Sequence, residues 1–126
     1  MPGTPAEDIP RFEVSSKPAT DGFLVVRIAG ELDISHEDEA RNELQGAVKN
    51  ADAGVVVDLT ECEFIDSTGI GVFVEAQRTL SGDGFTEPRV ALVVSEGPVL
   101  RNLTMCGVAR TLVTCETREE ALRRLA

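Results

Sequence analysis

Residues 54–71 read "GVVVDLTECEFIDSTGIG", and the fold turns on how this stretch is divided. Its first part, "GVVVDL" (54–59), is apolar and β-branched with no polar alternation. A short run of that kind reads as a strand covered on both faces, so the sheet has helices on both sides or lies deep in the core. The acidic segment "TECEFID" (60–66) reads as a loop into a helix, "STGIGVFVEAQRTL", that places Ile70, Phe73, Val74, Gln77 and Leu80 on one face. Ser67 or Asp66 takes the N-cap position, and Gly69 and Gly71 permit close backbone packing.

Working outward from there, "RFEVSS" alternates Phe12 and Val14 against polar neighbours, and "FLVVRIAG" (23–30) follows across "KPATDG", whose Pro18 and Asp21-Gly22 are turn residues. Two strands result. "SHEDEARNELQGAVKN" spaces Ala40, Leu44, Ala47 and Val48 as an amphipathic helix, with Ser35 as its N-cap. Downstream, "RVALVV" is a buried strand, "GPVLRNLTMCG" a short helix closed by Gly107, "RTLVTC" a strand and "TREEALRRLA" a final helix. The order β-β-α-β-α-β-α-β-α implies an α/β fold with a mostly parallel sheet and about four helices. The first eleven residues carry three prolines and read as a flexible tail, leaving one domain over 12–126.

Composition narrows the function. At 126 residues and 42% hydrophobic content the chain suits one globular domain that needs no metal or disulfide to fold. The opening "MPGTPAEDIPR" lacks the charged and apolar regions of a signal peptide, and no run approaches a membrane span, so a cytoplasmic location is expected. A net charge of -10 without a dense basic run argues against nucleic acid and against an anionic membrane as direct partners. Cys62, Cys106 and Cys115 are an odd set that reads as reduced thiols serving as small apolar filler. Zinc is not expected without a C-x-x-C pair, and the one histidine, His36, reads as a surface polar residue.

Enzyme chemistry finds little support around "DSTGIG". A phosphate-binding P-loop needs a Lys-Ser/Thr pair, yet the only lysines are Lys17 and Lys49. Asp58, Glu61, Glu63 and Asp66 have the chemistry for a magnesium ion, but a receiver-type phosphoacceptor also uses a lysine near a later strand end, and none lies beyond Lys49. The stretch lacks the G-x-S-x-G elbow of a serine hydrolase. No catalytic residue and no cofactor is expected. Two readings stay open for Ser67: an ordinary helix cap, or a phosphoacceptor at a helix start, where free N–H groups and the helix dipole favour an anion.

Taken together, "GELD" (30–33), "VVVDLTECEFIDSTGIGVFVEA" (55–76) and "VALVV" (90–94) resemble the STAS domain of bacterial anti-sigma factor antagonists, across nearly the whole chain from residue 12. "DSTGIG" is similar to the family's phosphorylation motif: an acid, a phosphorylatable serine, a second hydroxyl, then Gly-hydrophobic-Gly. The resemblance implies a STAS-like single domain that is a binding module and not an enzyme. Its unphosphorylated form captures an anti-sigma factor, usually a serine kinase, and frees a sigma factor. The kinase then phosphorylates the motif serine and ends the capture, and a PP2C-type phosphatase restores it. Carried over residue by residue, the phosphoacceptor is Ser67, flanked by Asp66, Thr68 and Gly69, and Asp33 lies in the loop that helps contact the kinase. The acidic "SHEDE" departs from relatives and bears on partner identity. The same fold also serves unphosphorylated accessory or scaffolding roles in transporters and stress-signalling assemblies.

Overall fold

In the computed structural model, which describes residues 11–81 and 87–126, five strands form one mixed sheet. They are β1 (Glu13–Pro18), β2 (Phe23–Leu32), β3 (Gly54–Ile65), β4 (Val90–Val93) and β5 (Val113–Cys115). The helices are α1 (Glu37–Asn50), α2 (Ser67–Ser81), α3 (Pro98–Met105) and α4 (Arg118–Leu125), with a 3-10 turn at Val108–Arg110. The proposed tail, apart from Arg11, lies outside the described residues.

Strand order follows chain order. β1 pairs antiparallel with β2, and β2 to β5 run parallel. The hairpin closes at Asp21 (φ 55°) and Gly22 (φ 85°), two left-handed residues that match the twist of the flanking strands. The uninterrupted valines of β3 follow from burial on both faces. Val55 and Val57 face a large core shared with α1, α2 and α3, while Val56 joins Val25, Ala91, Val93, Cys115 and Ala121 in a smaller core beneath α4. Helices thus lie on both sides, unequally.

"TECEFID" is not a loop. β3 runs on through Ile65, and register shifts against β2 between Arg27 and Ala29 and between Gly30 and Glu31 absorb two extra residues of β3. β4 stops pairing at Asp58, so β2 and β3 project beyond the rest of the sheet as a two-stranded arm. Alternation could not reveal this, because the bulges break the period of two on which strand reading depends. Outward-pointing acids are balanced locally: Arg27 holds Glu61 through two bonds of 2.9 and 2.8 Å and reaches Glu13 at 3.2 Å, lacing β1, β2 and β3 together.

Two capping expectations change. Ser35 does not cap α1, which starts at Glu37 after His36 and has no side-chain cap. Instead Asp33 Oδ1 accepts the Ser35 amide at 3.0 Å and Asp33 O accepts the His36 amide at 3.0 Å, so a turn centred on Asp33 precedes the helix. On α2, Val72 is fully buried beside the expected Ile70, Phe73 and Gln77, whereas Val74 and Leu80 pack at the core's margin. Gln77, 1% exposed, bridges to the start of β4: its Oε1 accepts the Arg89 and Val90 amides at 2.8 and 2.9 Å, and its Nε2 donates to Glu87 O at 3.0 Å. That satisfies every polar atom of a buried amide side chain that the sequence marks only as a helix-face residue.

Candidate functional site

The tip of the β2–β3 arm gathers the residues singled out in the sequence. Leu32 pairs with Ile65, so Asp33 and Asp66 leave neighbouring parallel strands together, about 4.8 Å apart across the ladder. The Asp66 amide donates to Leu32 O at 3.4 Å, and α2 starts at once. Asp33, Asp66, Ser67, Thr68 and Gly69 therefore share one end of the molecule.

Asp66 is the cap, and Ser67 is the first helical residue. Asp66 Oδ1 accepts the Thr68 amide at 3.1 Å, the Gly69 amide at 3.1 Å and the Thr68 hydroxyl at 2.7 Å. These bonds satisfy two of the orphan amides at the helix start. They hold the Asp66 carboxyl below its ordinary pKa, the Thr68 hydroxyl most of all, with partial burial opposing and the Gly69 and Thr68 amides adding. The helix N-terminus is thus already occupied by a carboxylate. A phosphoryl group on Ser67 would meet Asp66 there rather than a set of free amides. Thr68 is half-buried and committed to Asp66, whereas Ser67 is exposed and its hydroxyl makes no hydrogen bond among the described residues.

The two glycines of the motif differ. A Cβ on Gly69 would lie 2.8 Å from Leu32 Cγ and 3.1 Å from Ile65 Cγ1, so the helix start rests directly on the ends of β2 and β3. Gly71 has nothing within 4 Å of that position and faces solvent, which corrects the expectation that both glycines serve packing. Asp33 is held by the Ser35 amide and by His36 Nδ1 at 3.2 Å. His36 is half-buried, not a free surface group: its Nδ1–H also lies 2.9 Å from Glu31 O, and its ring stacks flat on Phe12 with centroids 4.3 Å apart. The Asp33 loop is therefore clamped from two sides.

Three residues that sequence reading passed over also belong here. Asn102 on α3 donates Nδ2 to Ile65 O at 3.0 Å and braces the arm from the side. Ile34, beside Asp33, and Met105, at the end of α3, are both strongly exposed. An isoleucine in a polar turn was the available signal for the first; the other two depend on how α3 docks. Cys62 and Cys115 are buried as expected, but Cys106 is exposed and is no core filler. Among the described residues, no group of three or more His, Cys, Asp or Glu side chains is placed to hold a metal ion, and no helix is long and apolar enough to cross a membrane.

These features define a class: a single-domain α/β module with its candidate site on a strand-to-helix tip. The chain belongs to the STAS domain family, whose model matches residues 15–121. It is 29% identical over 105 residues to the anti-sigma F factor antagonist of Paenibacillus polymyxa, covering 82% of this chain and 87% of that one. The fold is similar to that of an anti-sigma factor antagonist from Mycobacterium paratuberculosis, with a TM-score of 0.76 at 21% identity, covering 94% of this chain and 95% of that one. It is also similar to the anti-sigma factor antagonist SpoIIAA in its unphosphorylated form, with a TM-score of 0.70 at 23% identity, covering 91% and 96%.

Proposed function

We propose that this protein is an anti-sigma factor antagonist controlled by phosphorylation of Ser67. The unphosphorylated tip binds an anti-sigma factor that is itself a serine kinase, and a sigma factor is released. Phosphorylation of Ser67 ends the binding, and a PP2C-type phosphatase restores it. Asp33, Asp66, Ser67, Thr68 and Gly69 form the contact surface, and the protein acts by binding rather than by catalysis. The observation that carries this reading is the division of labour at the start of α2: Asp66 caps the helix, which leaves the exposed Ser67 hydroxyl without a structural task. The names of the relatives support the same assignment.

The switch follows from charge. A phosphoserine adds roughly -1.5 to -2 charges at neutral pH and three acceptor oxygens. Here it would stand beside the Asp66 carboxylate, whose bonds already engage the Thr68 and Gly69 amides, so the new charge stays on the surface where a partner must desolvate it. Incubation with candidate anti-sigma factor kinases and ATP, read by intact mass and tandem mass spectrometry, should place one phosphate on Ser67 and none on Ser67→Ala. Titration calorimetry should then show tight binding by the unmodified and Ser67→Ala forms and at least roughly tenfold weaker binding, about 1.4 kcal/mol, by the phosphorylated form. Equal affinities for all three would return Ser67 to an accessory or scaffolding domain.

A further inference from the structure

We infer that the tip carries an apolar docking patch anchored by Ile34 and Met105, and that its occupant is a protein surface with an apolar centre and a basic rim. This inference rests on the antagonist reading and names the kind of surface the anti-sigma factor presents.

Among the described residues, the large hydrophobic side chains left in water are Ile34 (73% exposed), Phe64 (42%) and Met105 (82%). Isolated exposed apolar residues are ordinary on any surface. These three are not dispersed. Phe64 is the penultimate residue of β3, Ile34 follows β2 by two residues, and Met105 ends α3 one turn beyond Asn102, whose amide is bonded to the Ile65 carbonyl. All three thus come from elements that meet at the end where Ser67 is displayed.

Neither anchor hangs on a loose segment. Ile34 sits between Asp33 and Ser35, inside the turn that Asp33 closes and that the Phe12–His36 stack supports from behind. Met105 is the last residue of a helix whose Val99 and Leu103 are buried in the main core. Pre-formed apolar anchors lose little freedom on binding, which is how a small patch gains affinity.

Charge selects the occupant. The same end carries Glu31, Asp33, Asp38 and Glu63 against one nearby cation, Arg101, since the Arg41 guanidinium is engaged by Glu37, Asp38 and Glu75. A second copy of this chain would bring the same acidic rim and a further net charge of -10 against it, which repels self-association. An anionic membrane is disfavoured on the same ground. A basic-rimmed protein surface is complementary.

The probe is the anti-sigma factor kinase that phosphorylates Ser67 in the preceding experiment. The unmodified I34A/M105A double variant should bind it at least tenfold more weakly than wild type, with an unchanged melting temperature because both side chains are exposed. Ile34→Val and Met105→Leu together should restore affinity to within about twofold, and association should slow as salt is raised. If wild type binds and the alanine variant binds equally well, the patch is overturned while the antagonist reading stands. If wild type does not bind at all, both fall. A wild-type dimer in sedimentation that Ile34→Ala dissolves would give the patch to a second copy, and salt-independent association would remove the basic rim.

Discussion

At Gly69 and Gly71 the same residue type, two positions apart on one helix, has opposite consequences. A methyl group on Gly69 would press on Leu32 Cγ at 2.8 Å, and Leu32 is fully buried between strand and helix with no room to turn away. Overpacking of this kind costs about 1–3 kcal/mol, only partly offset by the better helix propensity of alanine. Gly71 meets nothing within 4 Å, so Gly71→Ala should gain up to about 1 kcal/mol from propensity alone. Urea denaturation of the two variants should therefore move the midpoint in opposite directions. A Gly69→Ala protein as stable as wild type would mean that α2 lifts off the strand ends at little cost.

At the scale of elements, the tip depends on how securely the sheet behind it is covered, and α4 is the slightest cover. It has eight residues and one fully buried side chain, Ala121. Thr117 caps it by accepting the Glu120 amide at 3.1 Å, and Arg118 ties it to β3 through a 2.6 Å bond to Asp58 Oδ2. Burial raises the Asp58 pKa, but the Thr60 amide and hydroxyl and then Arg118 outweigh it, so the carboxyl titrates below its ordinary value. A depressed carboxylate contributes stability that is complete above its unfolded pKa of about 3.9 and is lost as pH falls through the lower folded value. Arg118→Ala should accordingly cost about 1–2 kcal/mol at neutral pH, a partly exposed pair being worth less than a fully buried one. The gap from wild type should close below about pH 4, which thermal melts across that range would register; a constant gap would assign the loss to packing of the arginine stem.

For the whole molecule, the relevant balance is between a core that needs no cross-link and a surface with a net charge of -10. Cys62 lies in the core under α1, α2 and α3, and Cys115 lies in the core under α4, so the sheet stands between the two buried thiols. Burial raises the pKa of both, foremost among its causes, and makes them poor thiolates. Cys106 is exposed at the end of α3. Thermal melts with and without reductant should coincide. A fall of many degrees on adding reductant would reveal a disulfide that holds the fold, contrary to the free thiols seen here.

By itself the sequence determined the order of elements, the covered parallel sheet and the place of Ser67 at a helix start, because each rests on local periodicity: the valines of 55–57, the apolar face of 70–77, the Asp-Gly turn at 21–22. It also carried the motif that puts the chain in its family. Only the tertiary structure decided that 60–65 continue as strand, since bulges erase alternation and the pairing that sustains them comes from β2. Only packing could separate Gly69 from Gly71, or Asp66 as cap from Ser67 as the free hydroxyl, because both distinctions depend on what lies opposite: the ends of Leu32 and Ile65 in one case, open solvent in the other. The exposure of Ile34 and Met105 belongs to that second kind as well. A hydrophobic residue announces in sequence that it seeks burial, and only the folded chain reveals which ones are left to find it elsewhere.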